Sequence, residues 1–163
     1  MTKEVLAQSL KEAQLCGETL KVSVLRLVLA ALQTKETEKR TKLSKTEPLE
    51  KLDGLSQLTE EEILNVLSSE AKKRRESIEA FQKGNRLELA AREEKELKFL
   101  ESYLPAGLTE EELRALVKES ISQTKAQSLK DLGRVMSDLA PKTRNRADGQ
   151  QVSQIVKEAL SQN

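Results

Sequence analysis

Two short stretches decide the fold class of this chain: residues 58–63 read Leu-Thr-Glu-Glu-Glu-Ile, and residues 108–113 read Leu-Thr-Glu-Glu-Glu-Leu. In each stretch a threonine stands three residues before a glutamate, which is the spacing of a capping box at a helix N-terminus. Helices are therefore predicted to begin at Thr59 and Thr109. The likeness of the two stretches fades a few residues later, so we interpret them as two similar caps and not as a repeated domain.

The overall composition extends this helical pattern to the rest of the chain. Charged residues make up 34% of the sequence and aromatic residues only 2%. Leu, Ala, Glu, Lys, Gln and Arg dominate, and these residues lose the least free energy on entering a helix. Three prolines and six glycines are too few for the many turns of an all-β protein. The sequence predicts an all-α fold.

Capping residues and apolar periodicity divide the chain into seven predicted helices. Four of them precede the break Pro105-Ala106-Gly107, and three shorter ones follow it. Those three begin near Thr109, Ser128 and Asp148. We therefore expect a larger four-helix N-terminal subdomain, residues 1–104, and a smaller three-helix C-terminal subdomain, residues 105–163. The sixth helix is expected to end before Pro141.

Residues 37–58 interrupt the helical pattern. They are polar, and they contain Pro48 and Gly54. A connection of this length is unusual inside a compact domain, so we predict a mobile loop in which proteases cut first. Its first part is basic, because residues 35–45 carry five basic and two acidic side chains, a local charge of +3.

Residues 22–32 are the most apolar stretch of the chain. Ser23 and Arg26 interrupt this stretch, and it is too short to span a bilayer. We therefore predict a buried core helix and no membrane association. The N-terminus also lacks the apolar run and cleavage site of a signal peptide, and we expect a cytoplasmic protein.

The sequence offers few groups for catalysis or metal binding. It has no histidine and one cysteine, Cys16, so an intrachain disulfide and an imidazole base are both excluded. On a predicted helix, Cys16 is interpreted as a small core residue. The glutamates that follow Thr59 and Thr109 are explained by the helix dipole. We expect no catalytic residues, no metal and no cofactor.

A first basic cluster, Lys72-Lys73-Arg74-Arg75, lies inside the third predicted helix. Helical periodicity places Arg74 on the same stripe as the apolar residues Leu67, Ala71 and Ile78. One interpretation is a phosphate ligand in a groove. The other, which we favour, is a partly buried arginine paired with a helical glutamate.

A second basic cluster precedes the last helix. Residues 125–146 carry six basic and two acidic side chains, a local charge of +4 in a chain whose net charge is +1. The basic residues are Lys125, Lys130, Arg134, Lys142, Arg144 and Arg146. A helix N-terminus that follows such a cluster attracts anions, although Asp148 is expected to occupy the cap itself. Phosphate contact and ordinary solvated surface remain equally open interpretations.

The aromatic residues restrict the kind of nucleic acid that this protein would bind. Phe81 and Phe99 are predicted to be core residues, so only Tyr103 remains. Single strands are bound by stacking bases on exposed aromatic rings. Any RNA ligand is therefore expected to be recognised as a folded shape, through phosphates and 2′-hydroxyls.

Several segments, taken in order, resemble a known family. They are residues 23–32, residues 73–81, Tyr103-Leu104-Pro105, residues 130–136 and Arg146-Ala147-Asp148-Gly149. Together they are similar to the GatB/YqeY family, freestanding proteins that resemble the tail of the B subunit of tRNA-dependent amidotransferases. The residues that carry the motifs of this resemblance are Arg74, Tyr103, Pro105, Gly133, Asp148 and Gly149. The family pattern has Gly at position 145, where this chain has Asn, a residue that tolerates positive φ.

The resemblance implies a two-part helical fold and a role in translation. In the amidotransferase the tail contacts the tRNA body, while the chemistry belongs to other parts of the enzyme. The family description, carbon–nitrogen ligase activity with glutamine as amido-N-donor, therefore has no residues here that would carry it unaided. The candidate RNA-binding residues are Lys142, Arg144, Arg146, Arg134, Lys130 and Arg75.

Three functional hypotheses follow from the sequence. The first is an accessory module that binds folded tRNA and has no chemistry of its own. The second is a protein–protein adaptor that docks on an amidotransferase or an aminoacyl-tRNA synthetase. The third is a subunit that contributes to glutamine-dependent amide transfer in a larger assembly.

Overall fold

A computed structural model describes residues 2–161 of the chain. In this part of the protein the regular structure consists of eight α-helices and one 3₁₀ turn, Leu129–Asp131, without a strand. The prediction of an all-α fold is confirmed. The helices are Lys3–Leu15 (α1), Thr19–Leu43 (α2), Leu49–Leu55 (α3), Glu60–Lys83 (α4), Leu87–Glu101 (α5), Glu110–Thr124 (α6), Leu132–Thr143 (α7) and Gly149–Ser161 (α8).

Both predicted capping boxes are present. The hydroxyl of Thr59 accepts a hydrogen bond from the Glu62 N–H at 3.2 Å, and the Glu62 carboxylate accepts one from the Thr59 N–H at 2.8 Å. Thr109 and Glu112 make the same two bonds at the same distances. Helices α4 and α6 begin directly after these threonines, so the two starts are confirmed.

The chain divides into two compact units, one ending at Leu104 and the other beginning at Pro105. The first unit contains α1 to α5, with α1 packed on α2, α4 packed on α5, and α2 in contact with both α4 and α5. Its core is built from aliphatic side chains, among them Leu6, Val24, Leu25, Val28, Leu32, Leu67 and Leu100.

The second unit contains α6, α7 and α8, each in contact with the other two. Its own core includes Leu113, Val117, Val135, Leu139, Val152 and Val156. The second basic cluster therefore belongs to a three-helix unit with a separate apolar core.

The prediction of a mobile loop at residues 37–58 is wrong. Helix α2 continues to Leu43, and the short helix α3 occupies Leu49–Leu55, so the first unit has five helices and not four. The polar residues form an exposed helix, in which the Thr37 hydroxyl donates to a carbonyl one turn earlier and Lys39 pairs with Glu62 of α4 at 2.7 Å. Composition alone does not separate such a helix from a loop.

The predicted end of the sixth helix is also wrong, because α7 includes Pro141. A proline in the last turn removes one backbone hydrogen bond, while other bonds still close that turn. The Thr143 hydroxyl donates to the Leu139 carbonyl at 2.9 Å, and the Arg144 N–H donates to the Ala140 carbonyl at 3.1 Å.

Two expectations about burial need correction. Cys16 is exposed at the C-terminal end of α1, where the chain turns at Gly17 with a φ of 68°. The apolar stretch at residues 22–32 is buried on one face of α2, yet Leu27 on the opposite face is 52% exposed. Within residues 2–161, no helix is both long enough and apolar enough to cross a membrane.

Candidate nucleic-acid interface

The turn between α7 and α8 is held in place by its own backbone. Asn145 adopts a φ of 59°, the left-handed conformation that asparagine tolerates better than most residues. The Arg146 carbonyl accepts a hydrogen bond from the Leu108 N–H at 2.8 Å. In addition, Nε of Arg146 donates to the Ala106 carbonyl at 3.2 Å. The turn is therefore fixed to the segment that precedes α6.

The N-terminus of α8 is occupied by the carboxylate of Asp148, as predicted. This carboxylate accepts a hydrogen bond from the Gln150 N–H at 2.7 Å. Gly149 begins the helix in the open, with no atom near the position of a Cβ. Because the protein's own carboxylate already binds the helix start, an external phosphate at this turn has to be held by side chains.

Arg144 and Arg146 are both exposed on this turn. Arg146 also lies close enough to Glu112 to contribute to that residue's lowered pKa, whose main cause is the hydrogen bond from the Thr109 N–H. Two guanidinium groups, separated by one residue on a braced turn, form an accessible part of the predicted cluster.

Lys142 is partly neutralised by its neighbours. Its Nζ lies 2.9 Å from Oδ2 of Asp138 and 3.2 Å from Oε1 of Gln123. The hydrogen bond from Lys142 is the main cause that lowers the pKa of Asp138, so this carboxylate is charged at neutral pH. Lys142 therefore offers less net charge to a ligand than its position in the sequence indicated.

Arg134 is directed toward the C-terminal end of α6. Its Nη1 donates to the Thr124 carbonyl at 3.3 Å, and its Nη2 lies 3.8 Å from Oδ1 of Asp131. Backbone N–H donors, first that of Gln127 and then that of Ser128, lower the pKa of Asp131. Arg134 thus helps to join α6 and α7, besides being a candidate for RNA contact.

Lys130 is the candidate with the freest charge. It is exposed on the 3₁₀ turn, and its side chain makes no ion pair or hydrogen bond within the described residues. Gly133, nearby on α7, is exposed and has open space at its Cβ position. Lys125, which belongs to the second basic cluster but not to the candidate RNA-binding residues, follows α6 with a φ of 52° and is likewise exposed and unpaired in this part of the chain. Only the local charge count of the sequence pointed to it.

The candidates of the second unit therefore fall into two groups, at opposite ends of α7. Lys130 and Arg134 lie at its start, while Lys142, Arg144 and Arg146 lie at its end. Twelve helical residues rise about 18 Å. A single phosphate cannot contact both groups.

Arg74 and Arg75 belong to the first unit, and neither has an unpaired charge. Arg74 is 6% exposed and lies 3.4 Å from Glu96 and 3.5 Å from Glu70. The interpretation as a buried arginine paired with helical glutamates is confirmed. Arg75 pairs with Glu101 on the surface at 2.8 Å.

Two motif residues remain, Tyr103 in the first unit and Pro105 at the break. Tyr103 is half-buried against the first core and meets Phe99 edge to face, with ring centroids 5.4 Å apart. Phe81, the third aromatic residue of the chain, is also half-buried. Pro105 is exposed at the start of the second unit. The protein thus presents no fully exposed aromatic ring for base stacking.

Comparison with known proteins identifies the family. Over 47 residues the chain is 43% identical to an uncharacterized protein of Schizosaccharomyces pombe, C22F3.15. This alignment spans 29% of the chain and 38% of that relative. The sequence matches the family described as Yqey-like protein over residues 3–160, which is nearly its whole length. The chain therefore belongs to the YqeY-like protein family.

Proposed function

We propose that this protein is an accessory module that binds folded tRNA through the second unit and has no chemistry of its own. The observation that carries the proposal is the braced turn between α7 and α8, which presents Arg144 and Arg146 to solvent. Guanidinium groups bind phosphates with directed, charge-assisted hydrogen bonds. The resemblance to the tail of an amidotransferase B subunit supports tRNA as the ligand.

The geometry of the basic residues favours a folded ligand. Two groups of cations, one at each end of a helix about 18 Å long, match a ligand whose phosphates are fixed in space. A flexible single strand would have to be ordered on binding, and the half-buried aromatic rings offer no stacking that would compensate for this.

Exposure and ion pairs together change the ranking of the candidate residues. Arg144 and Arg146, which are exposed on the turn, and Lys130, which is exposed on the 3₁₀ turn, are proposed as the main phosphate contacts. Lys142 and Arg134 are proposed as secondary contacts, because Asp138 and Asp131 offset their charge. Arg75 lies in the other unit, pairs with a glutamate, and is the weakest candidate.

A salt titration of tRNA binding tests this proposal. With roughly three phosphate contacts, affinity should fall about 10- to 100-fold between ~50 and ~200 mM salt, because each contact releases a counterion. The double substitution of Arg144 and Arg146 by Ala should weaken binding at low salt. It should also reduce the slope of log affinity against log salt by about 2.

A matched control removes two other positive charges. Lys95 and Lys98 are exposed on α5 and unpaired within the described residues, so their double substitution by Ala changes the net charge equally. This variant should retain the wild-type slope. An equal loss of slope in both variants would show that binding follows net charge alone, and the α7–α8 turn would then be ordinary solvated surface.

A further inference from the structure

Residues 22–32 of helix α2 are apolar except for Ser23 and Arg26, yet the first unit covers only one side of this stretch. Val24, Leu25, Val28 and Leu32 are buried in the core. On the other side Leu27 is 52% exposed, and Ala30, one turn further on, is exposed as well. On a surface helix the large apolar side chains normally face the core and not the solvent. The open side of α2 is therefore a surface that a partner would cover.

A groove lies along this open side. It has a volume of about 530 Å³, and its lining from α2 includes Val22, Ser23, Arg26 and Leu27. The end of α1 supplies Gln14, and the turn that joins α1 to α2 supplies Gly17. Leu15, between these two residues in the chain, is 80% exposed and extends the apolar surface at this end of α1.

The charge of the groove indicates the chemistry of its occupant. Arg26 is the charged residue of the lining, which contains neither aspartate nor glutamate. Its guanidinium makes no hydrogen bond or ion pair within residues 2–161. A cation that stands unpaired beside Val22 and Leu27 is complemented by a carboxylate next to apolar side chains.

We propose that this groove docks an amphipathic helix of another protein. Apolar side chains of that helix would pack on Val22 and Leu27, and a carboxylate beside them would pair with Arg26. A helix laid on a helical surface is the recognition mode that suits this all-α unit, since it has no sheet edge among its described residues. The groove belongs to the first unit and does not include the residues proposed to bind tRNA.

The same charge disfavours a second copy of the chain as the occupant. A two-fold dimer through this groove would place Arg26 of one copy near Arg26 of the other. No carboxylate of the groove would separate the two guanidinium groups. RNA is disfavoured because the groove has a single cation and no aromatic residue.

The test uses the full chain and two labelled peptides. Both are 18-residue helices with leucines along one face. One carries glutamates beside the leucines, and its twin carries lysines at the same positions. Fluorescence anisotropy measures the binding of each peptide to the wild type, Arg26→Glu, Leu27→Ala and the control Leu87→Ala. Leu87 is 63% exposed on α5, away from the groove lining, so its loss removes a similar amount of exposed apolar surface.

The glutamate peptide should bind the wild type more tightly than the lysine peptide does. Arg26→Glu should weaken the glutamate peptide at least about fivefold and strengthen the lysine peptide, which is the reversal that a direct ion pair requires. Leu27→Ala should weaken the glutamate peptide about threefold or more, and Leu87→Ala should have no effect.

Three results of the peptide assay would contradict the proposal. The proposal is overturned if neither peptide binds, if both bind equally, or if Arg26→Glu leaves the preference unchanged. Sedimentation that shows a dimer dissociated by Leu27→Ala would assign the groove to a second copy instead. Binding to vesicles of phosphatidylcholine and phosphatidylserine that is lost in Leu27→Ala would assign it to a membrane surface.

Discussion

Arg74 is a charged residue inside the first unit, with carboxylates on two sides. Its guanidinium lies 3.4 Å from Glu96 and 3.5 Å from Glu70, and Glu96 is itself 7% exposed. Arg92 reaches Glu96 from the surface at 3.4 Å. Buried charges persist in proteins when they are paired, because an unpaired charge loses its hydration without compensation. Arg74 therefore links α4 to α5 at the level of the core.

Substituting Arg74 by Ala should lower the free energy of unfolding by about 3–5 kcal/mol, since it removes the buried one of the two arginines that pair with the buried Glu96. Urea denaturation followed by circular dichroism measures this loss. Arg75→Ala is the matched control, because Arg75 pairs with Glu101 in solvent and such pairs contribute about 0–1 kcal/mol. Similar losses in the two variants would contradict the structural role assigned to Arg74.

At the scale of the helices, the start of α4 is joined to α2 through one carboxylate. Glu62 accepts a hydrogen bond from Nζ of Lys39 at 2.7 Å and one from the Thr59 N–H at 2.8 Å. These bonds lower the pKa of Glu62 below its ordinary value of 4.5, with the bond from Lys39 as the largest cause. A carboxyl group whose pKa is lowered by folding stabilises the protein above its ordinary pKa. This contribution is lost as the pH falls through the folded-state pKa.

The Glu62→Gln variant should therefore be less stable than the wild type at about pH 6, and the difference should narrow as the pH falls below the ordinary glutamate pKa of 4.5. Glutamine retains the size of the side chain but cannot carry the charge. Urea denaturation midpoints of both proteins across this pH range give the comparison. A stability difference that widens in acid would contradict the lowered pKa of Glu62.

Helix α3 contacts the rest of the unit through the buried Leu52 and through Asp53, which pairs with Arg40 of α2. Leu52 is 1% exposed, whereas Leu49 on the same helix is 76% exposed. A helix of seven residues is not stable alone, so it persists through such packing. Leu52→Ser should make trypsin cut first after Lys45 or Lys51, and Leu49→Ser should leave the digestion pattern of the wild type unchanged. Equal protection in both variants would mean that the α3 backbone is held by other contacts.

The helices show which elements a sequence predicts well. The starts of α4 and α6 were predicted because a capping box needs only residues three positions apart. The continuation of α2 and the presence of α3 were missed because contacts distant in sequence stabilise them. Lys39 and Glu62, for example, are 23 positions apart. The continuation of α7 past Pro141 was missed because the sequence pattern does not show the hydrogen bonds that close the last turn of this helix.

At the scale of the whole molecule, the candidate site was predicted as a local excess of charge but not as a geometry. The pairing of Lys142 with Asp138 follows from their spacing of four residues on a helix. By contrast, the bonds of Arg134 to Thr124 and of Arg146 to Ala106 join segments that only the fold brings together. The separation of the cations into two groups along α7 likewise needed the fold.

The proposed function requires that the second unit recognises a folded RNA. Arg144 and Arg146 stand on a fixed turn, and Lys130 lies at the far end of α7. Binding that depends on this spacing differs from general electrostatic attraction between a basic surface and any polyanion. General attraction does not depend on where the phosphates are held.

The most direct measurement is the affinity of the wild-type chain for a folded tRNA, compared with an unstructured single-stranded RNA of equal length at the same salt concentration. Fluorescence anisotropy with each labelled RNA gives both dissociation constants. The account predicts that the folded tRNA binds at least about tenfold more tightly, because its phosphates are already arranged and the protein has no exposed ring for stacking. Equal affinity for the two RNAs, or no binding of the tRNA, would contradict it.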